Sequence, residues 1–342
     1  ISREQFTKHT TRVAAVIEEM TAEGLAHPTP FEIETAVAFL FFAEEKCDLV
    51  ILEVGMGGDL DATNIIKNMV LAVLVPISMD HQAFLGNTLA EITQKKAGII
   101  KPGCSVVTVG QRPETMEVIR EVCREKGADL TETDLSSAKA VKEDFAGQTL
   151  EYRGETYELS LAGSYQTENA ALALDALEVL NHKGYPTTVE QRKKGLRETK
   201  WNGRLTIIHR DPLFIVDGAH NPAAADMLED SVRKYFKGRN MYFIMGVFRD
   251  KDYSYIIRKL CPYAEQIVTI ETPDNPRALP AQELAEAVRE CNPHVQAAEN
   301  IQDAVNKVFA MADREDVILS FGSLSFIGEI TTIVKNREEK NL

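Results

Sequence analysis

Residues 215–222 read IVDGAHNP. An apolar run climbs to Asp217, and Gly218, Ala219, His220, Asn221 and Pro222 follow without a spacer. An apolar strand that stops on an acid, an imidazole and an amide sets polar chemistry at its tip. Asp-Gly and Asn-Pro are also ordinary turn pairs, so a plain turn explains part of the string. The flanking pattern decides which fold carries it. From residue 213 onward the strand-like segments LFIVD, MYFIMGV, QIVTI, HVQAA and DVILSFG alternate with helical patterns over 223–236, 253–260, 281–290, 301–312 and 324–334. Such β/α alternation predicts an open, mostly parallel, Rossmann-like sheet. Sheets of this kind bind ligands beyond the carboxyl ends of their strands, which is where Asp217 stands.

The first half has the same texture. In CDLVILEVGMGG an apolar run over 48–54 breaks into glycines, and MVLAVLVPI (69–77) stops short of Asp80 and His81. Continuous apolar runs suit parallel strands covered on both faces. Segments 89–97 and 113–126 read as helices, CSVVTVG as a strand between them, and DFAGQTLEYRGETYEL as a hairpin with Gly154 in its turn. Residues 166–180, rich in alanine and leucine, predict a helix, as does the opening ISREQFTKHTTRVAAVIEEM, capped near Ser2 with Glu4 in its first turn. The charged stretch EQRKKGLRETKWNGR marks a boundary, giving expected domains over 1–199 and 204–342.

Bulk numbers narrow the function classes. A chain of 342 residues is long for one core, and 44% hydrophobic with 26% charged residues is a soluble globular profile. No segment reaches the roughly 18 apolar residues of a membrane helix. A net charge of −14 argues against a nucleic-acid partner, which wants a basic face. Five cysteines without a CxxC pair exclude a disulfide framework and a zinc ribbon, and fit reduced thiols in the cytoplasm. Without a heptad pattern, a monomer is the expectation.

Three first-half residues attract notice: Glu53 in LEVGMGG, His81 in MDH and Lys96 in QKKAGIIKPG. Taken singly, each has a plain reading as a surface acid, a loop histidine and a solvent-facing lysine. Taken together with the second half they form a pattern. EVGMGGDLDATN, KAGIIKPG, GSYQTENA, NGR, DGAHNP, MGVFRDKD, PRA and FGSLSFIGE resemble, in order and spacing, the folylpolyglutamate synthase/dihydrofolate synthase family. The resemblance runs from about residue 40 to residue 329. It extends to a wider group of ATP-dependent amide ligases that includes the muramyl peptide ligases. Those tend to carry tyrosine where this chain has Gly218, which favours the folate branch.

The resemblance implies a P-loop-type ATPase domain followed by the Rossmann-like domain, the second closing over ATP held mostly by the first. It implies that ATP activates a folate carboxylate as an acyl phosphate, which the amino group of L-glutamate then attacks. Both steps gather negative charge, so magnesium and cationic donors are the main stabilisers. By resemblance Glu53, His81 and Lys96 are magnesium ligands, with Lys96 carbamylated so that an ammonium becomes an anionic oxygen donor. Asn169, Arg204 and Asp217 match positions that hold ATP, Arg204 through its planar fork of donors. His220 is expected to orient phosphate or the reacting carboxylate, and with Lys96 makes up the catalytic set. Lys251, Asp252 and Arg277 are left without a role.

Two departures stand out. These ligases cradle phosphates in a P-loop, GxxxxGK[ST], and no such string occurs in the 342 residues. The family carries it upstream of the position of Ile1, so the sequence is expected to be shortened at its start, to bind ATP poorly and not to turn over. Phosphate release by this chain and by one extended upstream checks that expectation. Asp59 stands where many members have arginine, near the pteroate pocket, which bears on dihydropteroate as acceptor more than on chain extension. Two alternatives accompany the ligase reading: a muramyl-type amino-acid ligase, and a non-catalytic remnant without a P-loop.

Overall fold

The structure, a computed structural model, describes residues 1–145 and 147–340. It falls into two compact units, Ile1–Thr133 with Glu178–Gly184, and Asp134–Leu177 with Tyr185–Leu342.

The first unit opens with helices α1 (Arg3–Ala22) and α2 (Pro30–Glu45). Both start on a capping box: Ser2 with Gln5, and Thr29 with Glu32, each hydroxyl accepting the N3 amide while the N3 side chain returns to the cap amide. Strand β1 (Leu71–Leu74) is followed by the short α3 (Gln82–Leu85) and by α4 (Leu89–Ala97), then β2 (Ser105–Val109), α5 (Pro113–Lys126) and β3 (Asp129–Thr133). The three strands are parallel in the order β1-β2-β3. β2 is buried along its whole length, and Ala72, Leu74, Ile100, Val106, Ile119 and Val122 form the core around it.

One expected strand is missing. Residues 48–54 run without ladder hydrogen bonds, and Ile51 is 89% exposed. Apolar composition alone does not make a strand; a ladder partner does. Among the described residues β1 pairs only with β2, so the 48–54 run has no neighbour to lock it. Glu53 therefore sits on an exposed irregular segment, not at a strand tip.

The second unit begins with an antiparallel meander, β4 (Lys139–Asp144), β5 (Gly147–Tyr152) and β6 (Glu155–Leu159). The β5–β6 turn is Arg153-Gly154, both at positive φ (50° and 83°), as a two-residue hairpin requires. Helix α6 (Tyr165–His182) covers the meander, Ala170, Ala171 and Leu174 packing on Leu150, Tyr152, Tyr157 and Leu159. The charged stretch expected as a boundary contains a helix, α7 (Val189–Glu198), capped by Thr188 with Gln191. Division by compactness thus falls elsewhere than at 199–204.

The remainder is the alternation expected: β7 (Thr206–Arg210), β8 (Leu213–Val216), α8 (Pro222–Tyr235), β9 (Met241–Met245), α9 (Tyr253–Leu260), β10 (Gln266–Thr269), α10 (Ala281–Arg289), β11 (Val295–Ala297), α11 (Ile301–Met311), β12 (Val317–Phe321) and α12 (Ile327–Lys340). The sheet order is β11-β10-β9-β12-β8-β7, parallel except for the edge strand β7. Helices on both faces bury two apolar layers. One is centred on Ile215, Phe243, Leu319 and Phe321, the other on Phe214, Val216, Ile244 and Ile318. The strand order places β12 between β8 and β9, so three consecutive loops leave the same carboxyl edge.

Candidate active site

In the second unit those loops carry the motifs DGAHNP, GVFRDKD and FGSLSF. The ladder extends beyond β8, since Asp217 donates its N–H to the Ser320 carbonyl at 2.8 Å. Asn221 then caps α8, its Oδ1 accepting the Ala224 N–H at 2.9 Å, with Pro222 in the first turn. The Asn-Pro pair is thus helix-starting chemistry.

Asp217 is 4% exposed. Its Oδ2 accepts the Leu205 N–H at 2.9 Å and its Oδ1 the Ala219 N–H at 2.8 Å. Gly218 donates its N–H to the Gly203 carbonyl at 2.8 Å, so the NGR loop lies directly against the strand tip. A Cβ on Gly218 would come within 2.3 Å of Leu324 Cδ2, and one on Gly203 within 3.0 Å of the same atom. Glycine at 218 lets NGR, DGAHNP and FGSLSF touch. Burial pushes the Asp217 carboxyl above its ordinary range, opposed by the two amide donors and by the nearby Arg204 charge.

Tyr165, at the start of α6, belongs to the same cluster. Burial first, and then the Asp217 charge, push its phenol up to about 12, while Arg204 and a hydrogen bond with Gln166 pull the other way. Asn169 is exposed on the same helix and donates from Nδ2 to Gln166 Oε1 at 3.1 Å. Arg204 is half-buried, and His220 is half-buried with Nδ1 2.8 Å from the Gly218 carbonyl oxygen. The second unit therefore gathers Tyr165, Gln166, Asn169, Arg204, Asp217 and His220 within two loops and one helix start. Tyr165 was legible only as part of GSYQTENA; nothing in its spacing singled it out.

Beside them, Arg277 holds Asp250 with two hydrogen bonds of 3.0 and 2.6 Å and stacks over the Phe248 ring at 4.8 Å. Arg249 pairs with Glu283.

In the first unit, two sequence motifs prove to be one structure. The GGDLDATN loop packs against the last turn of α4, where KKAGIIKPG begins. Asp59 donates its N–H to the Lys95 carbonyl at 3.0 Å, and Asn64 Nδ2 donates to the Asp59 and Gly98 carbonyls at 3.1 and 3.2 Å. A Cβ on Gly58 would meet the Lys95 and Lys96 carbonyl oxygens at 2.7 Å, and one on Gly98 would meet Asp59 Cβ at 2.5 Å. Both glycines are dictated by backbone-on-backbone contact. Asp59, the departure from the family pattern, pairs with Lys95 at 2.9 Å. Its charge is therefore met locally.

The loop folds around Asp61, which is 9% exposed. Oδ2 accepts the Gly55 and Met56 N–H groups, each at 3.0 Å; Oδ1 accepts the Thr63 N–H at 2.9 Å and its hydroxyl at 2.6 Å. Burial raises this carboxyl, yet the donors from Thr63, Met56 and Gly55 together hold it below the usual range.

His81 stands at φ 50° beyond β1, exposed, with its N–H donated to Asp80 Oδ1 at 2.8 Å and its Nε2 3.8 Å from Asp80 Oδ2. Lys96 is half-buried on α4. Burial lowers its amine and the Asp80 carboxylate works against that shift. Asp80 thus acts on both His81 and Lys96, a link that the string MDH announces but does not assign. Among the described residues no group of three or more His, Cys, Asp or Glu side chains is gathered to hold a metal ion. No helix among them is long and apolar enough to cross a membrane.

Comparison with known proteins gives the family. Residues 3–177 match the Mur ligase middle domain and residues 203–324 the Mur ligase, glutamate ligase domain. The chain is 33% identical to a dihydrofolate synthase/folylpolyglutamate synthase of Bacillus subtilis, over 98% of this chain and 79% of that protein. It is 34% identical to the folylpolyglutamate synthase of Lacticaseibacillus casei over 74% of this chain and 60% of that one. A crystal structure of Mycobacterium tuberculosis folylpolyglutamate synthase with ADP and AMPPCP superposes with a TM-score of 0.84 at 30% identity, covering 99% of this chain and 79% of that one. The E. coli FolC structure with DHPP and ADP gives 0.82 at 28% identity, covering 99% and 77%. The chain belongs to the folylpolyglutamate synthase/dihydrofolate synthase family of amide-forming ligases.

Proposed function

We propose that the protein joins the amino group of L-glutamate to the terminal carboxylate of a reduced folyl-(poly)glutamate, using ATP and an acyl phosphate. The observation that carries this reading is the carboxyl-edge cluster of the second unit. There a buried carboxylate, a guanidinium and an amide stand together at the tip of a parallel sheet. Within it Arg204 contributes a planar cation suited to a phosphate, and Asp217 an acceptor fixed by two backbone amides. Asn169 supplies an amide near the helix start. His220, whose Nδ1 lies against the Gly218 carbonyl, would orient phosphate or the reacting carboxylate.

Magnesium suits the first-unit residues on chemical grounds. It prefers oxygen donors, and Asp80 sets a carboxylate beside His81 and the half-buried Lys96. Bound there, the ion would neutralise charge on the transferring phosphoryl group. His81 and Lys96 would hold it, with Glu53 as the third ligand that the family resemblance implies. Lys96, its ammonium disfavoured by burial, has the amine chemistry that a carbamate needs. The partners on this reading are ATP, L-glutamate and reduced folate, and the protein acts as a cytoplasmic monomer. The expected limits 1–199 and 204–342 serve as its two domains: the match over 3–177 lies inside the first, and the match over 203–324 lies inside the second except for residue 203.

A muramyl-type ligase is the second reading, since the matched domains bear that name. The contact of Gly218 with Leu324 speaks against it, because a tyrosine there would require the Leu324 side chain to move aside. Calorimetric titration with ATP tests the nucleotide assignment. Arg204→Ala is expected to weaken binding about 10- to 100-fold, the range of one charge-assisted hydrogen bond, with the fold intact by circular dichroism. Unchanged affinity removes Arg204 from the site. A substrate panel of glutamate, alanine and diaminopimelate separates the two ligase readings.

A further inference from the structure

Away from that cluster, at the opposite edge of the six-stranded sheet, two thiols meet. Cys261 follows α9 and is fully buried, and Cys291 follows α10 and is exposed. The loops that contain them lead into the neighbouring parallel strands β10 and β11, so both stand at the amino edge. Their mutual placement is fixed by one shared acceptor. The Cys261 N–H closes the last turn of α9 onto the Ile257 carbonyl, and the Cys291 thiol donates to the same oxygen, with Sγ 3.9 Å away. With an amide hydrogen bond of about 3 Å, Cys291 Sγ lies within about 7 Å of the Cys261 nitrogen.

Asn292 clamps the arrangement. Its buried Nδ2 donates to the Cys261 carbonyl at 2.9 Å and to the Ala264 carbonyl at 2.8 Å, while its own N–H and that of Cys291 return to the Val288 carbonyl. The residue next to one cysteine is thus bonded directly to the backbone of the other. The two cysteines are thus tied to one patch of backbone through the Ile257 carbonyl and Asn292, the neighbourhood that a disulfide requires. Burial and the neighbouring Cys291 push the Cys261 thiol up, as expected of two sulfurs in each other's field.

The other cysteines offer a contrast. Cys104 and Cys123 also influence each other, but both are buried in the first-unit core, where an oxidant has no entry. Cys47 is exposed and lies in the first unit. Among the described residues, the 261/291 pair joins one accessible thiol to one protected thiol.

We propose that Cys291 is a peroxide-sensitive modification site whose oxidised sulfur is captured by Cys261 as a reversible disulfide. The oxidant is a hydroperoxide. The Cys291 thiolate attacks one peroxide oxygen, the O–O bond breaks, and sulfenic acid and hydroxide result. The Cys261 sulfur then attacks the sulfenic sulfur; its proton and the S–OH group leave as one water. Two thiols are oxidised by two electrons and one peroxide is reduced. The cross-link ties α9 to α10 at the edge remote from Arg204 and Asp217, so it rigidifies the second unit without entering the site.

The test is thiol counting on the intact 342-residue chain. After hydrogen peroxide and alkylation, mass spectrometry is expected to find the Cys261 and Cys291 thiols lost together as one linked peptide, with both restored by dithiothreitol. Cys291→Ser, a change at an exposed position, is expected to leave Cys261 free under the same treatment. Cys261→Ala is expected to let Cys291 run on to sulfinic acid; if that variant fails to fold, Cys291→Ser alone decides. Cys291 oxidising to sulfinic acid in the unaltered protein, or remaining free while Cys47 reacts, overturns the proposal.

Discussion

Asp61 and Asp217 are both buried, both stand in glycine-containing loops, and both accept backbone amides. Their protonation runs in opposite directions. Asp61 gathers four donors and is held below the ordinary carboxylate range, whereas Asp217 has two and is raised above it. Burial disfavours the charged form in both; at Asp61 the donors outweigh it, whereas the deeper burial of Asp217 outweighs its two donors. The contrast separates two jobs. Asp61 spends its oxygens on its own loop and serves as the hub of GMGGDLDATN. Asp217 has fewer internal partners and stands beside Arg204 and Tyr165, where a ligand would complete its shell.

The largest expected effect comes from deleting the hubs. Asp61→Ala strands four donors at once and should lower unfolding free energy by about 4 kcal/mol. Asp217→Ala strands two and should cost about 2, since each buried unpaired group costs about 1–3 before water relieves it. Urea denaturation of the pair measures this, and equal losses would break the comparison.

The glycine contacts come next. Gly98→Ala drives a Cβ into Asp59 backbone and Cβ atoms, so about 2 kcal/mol is expected, within the usual range for overpacking. Gly218→Ala meets only the half-exposed Leu324 side chain. Its cost should therefore vanish in the Leu324→Ala background, while that of Gly98→Ala has no such side-chain rescue. A double-mutant cycle reads the difference.

Acidification sharpens the contrast further. Because the folded Asp61 carboxyl lies below its unfolded value, its stabilisation is present above the unfolded value and is lost as pH falls through the folded one. Asp217, raised in the fold, gains relative stability as pH falls and loses it as pH rises through its folded value. Asp61→Asn should flatten the acid limb of a stability–pH curve, and Asp217→Asn should steepen it. The same sign for both would remove the proposed division of labour.

The smallest effect belongs to Asp59. Its pair with Lys95 is exposed on both sides, so Lys95→Ala should cost about 0.5 kcal/mol. Thermal melts of the variant give that value directly.

Much of the second unit was legible. LFIVD, MYFIMGV, QIVTI, HVQAA and DVILSFG all became strands, and helix 253–260 has the bounds its periodicity gives. In the first unit, 89–97 and 113–126 behaved the same way. The 48–54 run has strand composition but lacks a ladder partner, and the charged stretch expected at the domain boundary carries a capped helix, α7. Of the site, Arg204, Asp217, His220 and Asn169 were named from motifs. Tyr165, Asp80 and the role of Asp61 appeared only once neighbours distant in sequence were in place.

What the sequence determined by itself is local: periodicity, caps such as Ser2, Thr29, Thr88 and Asn221, and the glycines at crowded turns. These act over three or four residues, within the reach of one helical turn or one hairpin. Tertiary structure alone decided whether an apolar run found a ladder partner, that Gly58 and Gly98 lock two distant motifs together, and in which direction burial and donors move each buried aspartate. Burial and donor count are sums over residues far apart in the chain, and a linear string does not contain those sums until it folds.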